Sequence, residues 1–149
     1  MIGLLALALA ASTTAPQPLL QPFSNLAGHC WRGSAPANAG EDTHCFEWVY
    51  GGQHLRDRHV VTVKGKPVYE GETLYSVEGD AVTFTYWNSL GGLGRGKMIA
   101  SANALTFTGT IHAMPKDHEQ SLATTWQTAA SSYEVKDPDE PSRLFRRVD

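Results

Sequence analysis

From Gly28 onward the apolar residues recur at every second position rather than every third or fourth, and turn signals interrupt them about every ten residues. Between Ala104 and Ala113, Leu105, Phe107 and Ile111 fall on one face with Gly109, while Thr106, Thr108, Thr110 and His112 fall on the other. A period of two with one apolar face describes a half-buried strand. Asp80 to Asn88 repeats the pattern, with Val82, Phe84, Tyr86 and Asn88 opposite Thr83, Thr85 and Trp87. Further strands are predicted at 27–33, 43–50, 54–63, 68–77, 96–101, 121–128, 133–136 and 143–148. Gly51-Gly52, Lys64-Gly65-Lys66-Pro67, Glu78-Gly79-Asp80 and the Pro138–Pro141 stretch punctuate them. The pattern predicts an all-β fold, an antiparallel up-and-down barrel of about 8–10 strands, because closing a meander removes its adhesive edges. Pro18 to Leu26 is the one stretch compatible with a short helix or lid.

Composition narrows this to one domain. The 149 residues, 42% hydrophobic and 18% charged, suffice for a single core and not for two. Met1 to Ala15 is dense in Leu and Ala and ends in small residues before Pro16, which reads as a secretory signal, although no Lys or Arg precedes the apolar run. The chain therefore divides into a signal peptide at 1–15, an N-terminal segment or lid at 16–25 and the barrel domain at 26–149. No other apolar stretch approaches the ~18 residues of a membrane span, so the mature protein is expected in the periplasm or the medium. Twelve Lys and Arg against fifteen Asp and Glu leave a charge of −3, which gives no electrostatic basis for a nucleic-acid partner. In an oxidising compartment Cys30 and Cys45 are expected to form a disulfide, and a loop of about 15 residues closed this way adds ~3 kcal/mol in the chain-entropy model.

Most motifs dissolve on inspection. Gly91 to Met98 approaches a phosphate-binding loop, but Met98 lacks the hydroxyl the last position needs and a strand follows instead of a helix. A flexible hairpin at the barrel mouth is the better reading. No G-x-S-x-G elbow is present. Among six histidines, His54 and His59 point to opposite faces of one strand, His29 and His44 share a face only if their strands pair near the cysteines, and no H-x-H occurs. No metal and no cofactor are therefore expected. Glu70 and Glu72 share a face that reads as solvated. Glu47 stands between Phe46 and Trp48 and alternates with Cys45 and Val49. With that face inside, its carboxylate requires a partner, Arg32, Arg56 or Arg58, either as a structural ion pair or as a ligand-binding group. Tyr86 and Asn88 end the apolar Val82–Phe84 face in a phenol and an amide, and Trp126 adds an aromatic wall, a pattern suited to a ligand with one polar group.

The opening Leu26-Ala27-Gly28-His29-Cys30-Trp31-Arg32-Gly33 resembles the first strand of lipocalin-like (calycin) barrels. Phe46 to Gly52 and Phe145-Arg146-Arg147 are similar to segments of small exported bacterial proteins of that fold. Here two residues separate Gly28 from Trp31, where the lipocalin pattern has one. The resemblance implies a binding cavity, with Trp31 closing one end and stacked on an arginine of the last strand, Arg146 or Arg147. The resulting expectation is an exported binding protein that holds a small, largely apolar molecule near Glu47, Arg58, Tyr86, Asn88 and Trp126. Two alternatives compete: an enzyme moving protons through a Glu/Arg/Tyr set, and a filled barrel acting through its surface.

Overall fold

The computed structural model describes residues 15–112 and 119–149. The signal-peptide reading lies outside the described residues but for Ala15. Ten strands follow one another: β1 (Cys30–Ser34), β2 (Glu41–Val49), β3 (His54–Val63), β4 (Lys66–Glu78), β5 (Ala81–Asn88), β6 (Leu93–Ser101), β7 (Ala104–His112), β8 (Glu119–Thr128), β9 (Ser132–Lys136) and β10 (Arg143–Arg147). Each pairs antiparallel with its sequence neighbour, and β1 closes on β10 to complete the barrel. Two short 3-10 helices, Pro18–Phe23 and Pro36–Asn38, are the only helical elements among the described residues.

Tight turns set the register. Lys64 and Gly65 both have positive φ, 49° and 74°, the two-residue turn whose twist matches that of paired strands. Because side chains alternate, each turn also decides which set faces inward. In β2 the inward set is Asp42, His44, Phe46 and Trp48; in β3 it is Leu55, Asp57, His59 and Val61.

One end of the barrel is packed solid. Leu20, Phe23, Leu26 and Trp31 are completely buried there with Leu55, Tyr75 and Leu105. The first 3-10 helix is thus a plug at the closed end, with the Phe23 ring 4.6 Å from that of Tyr75. Trp31 donates from Nε1 to the Leu26 carbonyl at 3.1 Å and meets Tyr133 edge-on at 5.7 Å. Each such aromatic side chain contributes on the order of 2 kcal/mol through burial. Cys30 and Cys45, directly opposite in the β1–β2 ladder, form the disulfide. Among the described residues no helix is long and apolar enough to cross a membrane.

Candidate functional site

Above this packed layer the barrel is hollow. A cavity of about 700 Å³ opens toward the β1–β2 and β9–β10 connections, with Phe84, Phe107, Trp126 and Phe145 among its apolar lining. Glycines create part of the room. Gly94, Gly96 and Gly109 occupy inward positions of β6 and β7, and a Cβ on Gly96 would lie 2.7 Å from the Phe84 ring.

The polar wall is built by β2, β3, β4 and β5. One row across their ladders reads His44, His59, Gly71, Asn88, each residue directly opposite the next. The His44 and His59 rings stack 4.6 Å apart. Flanking them are two carboxylates with almost no solvent exposure, Asp42 at 3% and Asp57 at 2%. Buried carboxylates survive only with partners. His44 supplies one to each, from Nδ1 to Asp57 at 2.8 Å and from Nε2 to Asp42 at 3.2 Å. The other Asp42 oxygen lies 3.1 Å from His59 Nδ1, and His59 Nε2 lies 3.3 Å from the Tyr86 hydroxyl. The Tyr86 hydroxyl in turn bonds to that of Tyr69.

The charges follow from this enclosure. Burial works against an imidazolium at His44, but attraction to Asp57 and hydrogen bonds to both aspartates outweigh it, and its pKa is raised to about 10. Burial likewise pushes Asp42 up, yet hydrogen bonds from His44 and His59 hold it far below the usual carboxylate range. Desolvation, followed by the bond to Tyr69, raises Tyr86, so both phenols are protonated donors. The chain Asp42–His59–Tyr86 can orient an imidazole and pass a proton toward the cavity. Asp42, His44 and His59 are also side chains of metal-ligating type whose ligand atoms all lie within 4.8 Å of one another. Across the cavity the Tyr133 hydroxyl and the Arg143 Nε are buried without a hydrogen-bond partner among the described residues.

The residues singled out from sequence separate into two sets. Tyr86 and Trp126 line the cavity. Asn88 sits at the rim, where its Oδ1 accepts from the backbone N–H of Leu90 and Gly92 and shapes the β5–β6 turn, while its side chain also interacts with both phenols. Glu47 and Arg58 face outward. The Glu47 carboxylate accepts from Arg56 Nε at 2.7 Å on the outer wall, and Arg58 lies 3.8 Å from Glu72. Phe46 and Trp48 are the inward pair, so the residue between them must point out. Glu47 and Arg58 instead line an outer groove with Thr43, Glu70 and Trp87. Arg147 stands opposite Trp31 in the ladder, but its Nε donates to the Asp149 carbonyl at 3.0 Å; among the described residues the cation–π contact is Arg143 over Phe145.

Sequence reasoning missed Asp42, His44, Asp57 and His59 as a group. The signal was in the hairpin: pairing Val49 with His54 around Gly51-Gly52 carries His44 opposite His59 and Phe46 opposite Asp57. No protein-family model and no curated protein matches the chain. Among solved structures, the crystal structure of Rv2717c from M. tuberculosis is similar in fold, with a TM-score of 0.59 over 91% of this chain and 100% of that one at 14% sequence identity. At that identity the likeness establishes a shared closed-barrel architecture and nothing of ligand or activity.

Proposed function

We propose that the barrel is an exported binding protein of lipocalin-like type that encloses one small, largely apolar molecule. The observation that carries this reading is the cavity of about 700 Å³, aromatic on its floor and polar on one wall. Its size and lining are those of small-molecule sites, mostly apolar with a few fixed polar groups. Tyr86 and His59 are the polar groups on one side; the unpartnered Tyr133 hydroxyl is a donor on the other. A ligand oxygen near Tyr133 would satisfy an atom that otherwise costs about 1–3 kcal/mol to bury. The Cys30–Cys45 disulfide suits an oxidising, extracytoplasmic location. Glu47 pairs with Arg56 and Arg58 with Glu72 on the outer wall, so neither belongs to the proposed site, whose lining includes Tyr86 and Trp126.

The test uses the neutral fluorophore N-phenyl-1-naphthylamine and native mass spectrometry of protein isolated from its own host. One probe per chain is expected, with Leu122→Trp, which fills the cavity, abolishing binding while the fold persists. A co-purified molecule displaced by the probe would identify the ligand. Binding that survives Leu122→Trp in a folded protein, or none by either method, removes the reading.

A further inference from the structure

We propose that Asp42, His44 and His59 form a binding site for one first-row divalent transition-metal ion, open toward the cavity. The inference rests on these residues alone and stands whether or not the cavity takes an apolar ligand.

Geometry is the first support. Ligands about 2.0–2.2 Å from an ion lie about 3–3.5 Å from one another. Asp42 Oδ2 to His44 Nε2 is 3.2 Å and Asp42 Oδ1 to His59 Nδ1 is 3.1 Å. The ligand atoms of the three residues all lie within 4.8 Å of one another, and an ion held by the Asp42 carboxylate and both imidazoles would take the place of these two hydrogen bonds. Two imidazoles and one carboxylate are the donor set that favours a transition ion over magnesium or calcium.

The surroundings provide the second. His44 turns its other nitrogen to Asp57, 2.8 Å away, the carboxylate-backed arrangement that fixes the ring and its tautomer in metal-binding histidines. With Nδ1 held on that proton, Nε2 is left to bind. For His59 the ligating atom is Nδ1, and the ring proton on Nε2 then points at the Tyr86 hydroxyl, 3.3 Å away. Both imidazoles thus have a partner behind them. Asp42 and Asp57 bring two formal negative charges into the barrel wall, which a dication on two neutral imidazoles balances.

Access is the third. Asp42, His44 and His59 all line the cavity, so a three-ligand ion keeps its remaining positions toward open space. That is the arrangement of sites that exchange water for a ligand, whereas structural zinc sites are closed by four protein ligands. Gly71, opposite His59 in the ladder, carries no side chain to hold the ring away.

The experiment uses the full chain with its disulfide intact, stripped with EDTA and titrated with zinc by calorimetry, with Co²⁺ as a spectroscopic reporter and Mg²⁺ as the comparison. One zinc per chain is expected, together with Co²⁺ absorption of low-coordinate type and no response to Mg²⁺. His59→Gln and Asp42→Asn should weaken zinc by about 100-fold or more, and Asp57→Asn by about 10–100-fold through His44. His54→Gln, whose ring bonds to Ser76 away from the site, should bind as the wild type does. Because Asp42 and Asp57 are buried, their variants are scored only if circular dichroism shows the barrel intact. Side-chain NMR of the wild-type histidines needs no variant: zinc should move the His44 and His59 signals and leave that of His54. Absence of saturable zinc binding, or binding that moves only the other histidines, overturns the site.

Discussion

Gly71 permits a direct test of the polar wall, because its replacement by alanine sets a small backbone gain against a steric loss of known location. Gly71 is not among the residues of positive φ, so alanine suits its backbone and, by restricting the unfolded chain, would by itself stabilise by about 0.4–1 kcal/mol. The new Cβ, however, would stand 2.8 Å from the Tyr86 ring and closer still to His59 Nε2. The imidazole has little room to withdraw, being stacked on His44 at 4.6 Å and bonded to Asp42. Forcing a methyl into packed surroundings costs about 1–3 kcal/mol, and losing the His59–Tyr86 bond about 1 kcal/mol more. The balance is a loss of about 1–3.5 kcal/mol, or roughly 3–12 °C in melting temperature for a domain of this length. Thermal unfolding followed by circular dichroism measures it, with urea titration to check that the m-value is unchanged. A variant as stable as the wild type, or more so, would place the His59 ring elsewhere and refute the arrangement of the wall.

Three other outcomes follow from the same geometry. Reducing the Cys30–Cys45 bond, or replacing both residues with serine, should lower stability by about 3 kcal/mol in chemical denaturation, and an intact mass higher by two hydrogens after reduction should verify the bond. Glu47→Gln combined with Arg58→Ala should change stability by less than about 1 kcal/mol and leave naphthylamine binding untouched, since both side chains lie on the outer wall; a loss of probe affinity would return them to the site. Tyr133→Phe removes a buried hydroxyl that has no partner among the described residues, so ligand-free protein should be equally stable or up to about 1 kcal/mol more stable. A large destabilisation measured by the same denaturation would mean that the hydroxyl is already satisfied.

The barrel was legible in the sequence because its evidence is local: alternation over Ala104–His112 and Ala81–Asn88, and turn residues between runs, each act within a few positions. The disulfide was legible for a different reason, the scarcity of alternatives for two cysteines. Facing proved harder where both sets of a strand carry bulky or charged groups. In β2 the polar Asp42 and His44 point inward while Glu47 points outward, so polarity alone misassigns the face, and the buried Phe46 decides it. The acid–imidazole cluster is assembled from two strands and becomes visible only when the hairpin register is carried along both. That Tyr86 and Trp126 line the cavity is legible because they continue apolar faces. Asn88 sits at the end of such a face, where the turn claims its carbonyl.

The seam between β1 and β10 is the shortest ladder of the barrel, resting on Trp31 opposite Arg147 and Arg32 opposite Arg146. It joins the most distant parts of the chain, and contacts of such long sequence separation carry the largest closure entropy, so they form late in folding. Until they form, the other ladders make an open sheet with two unpaired edges, the state in which a β protein is exposed to pairing with another copy of itself. The edges that wait carry Arg32 on one side and Arg146 and Arg147 on the other. Like charges set opposite each other weaken the finished seam slightly. Long charged side chains of this kind, Arg32 beside Glu41 on one edge and Arg146 with the Arg147–Asp149 pair on the other, are the devices that keep a bare strand edge from pairing with a second copy before closure.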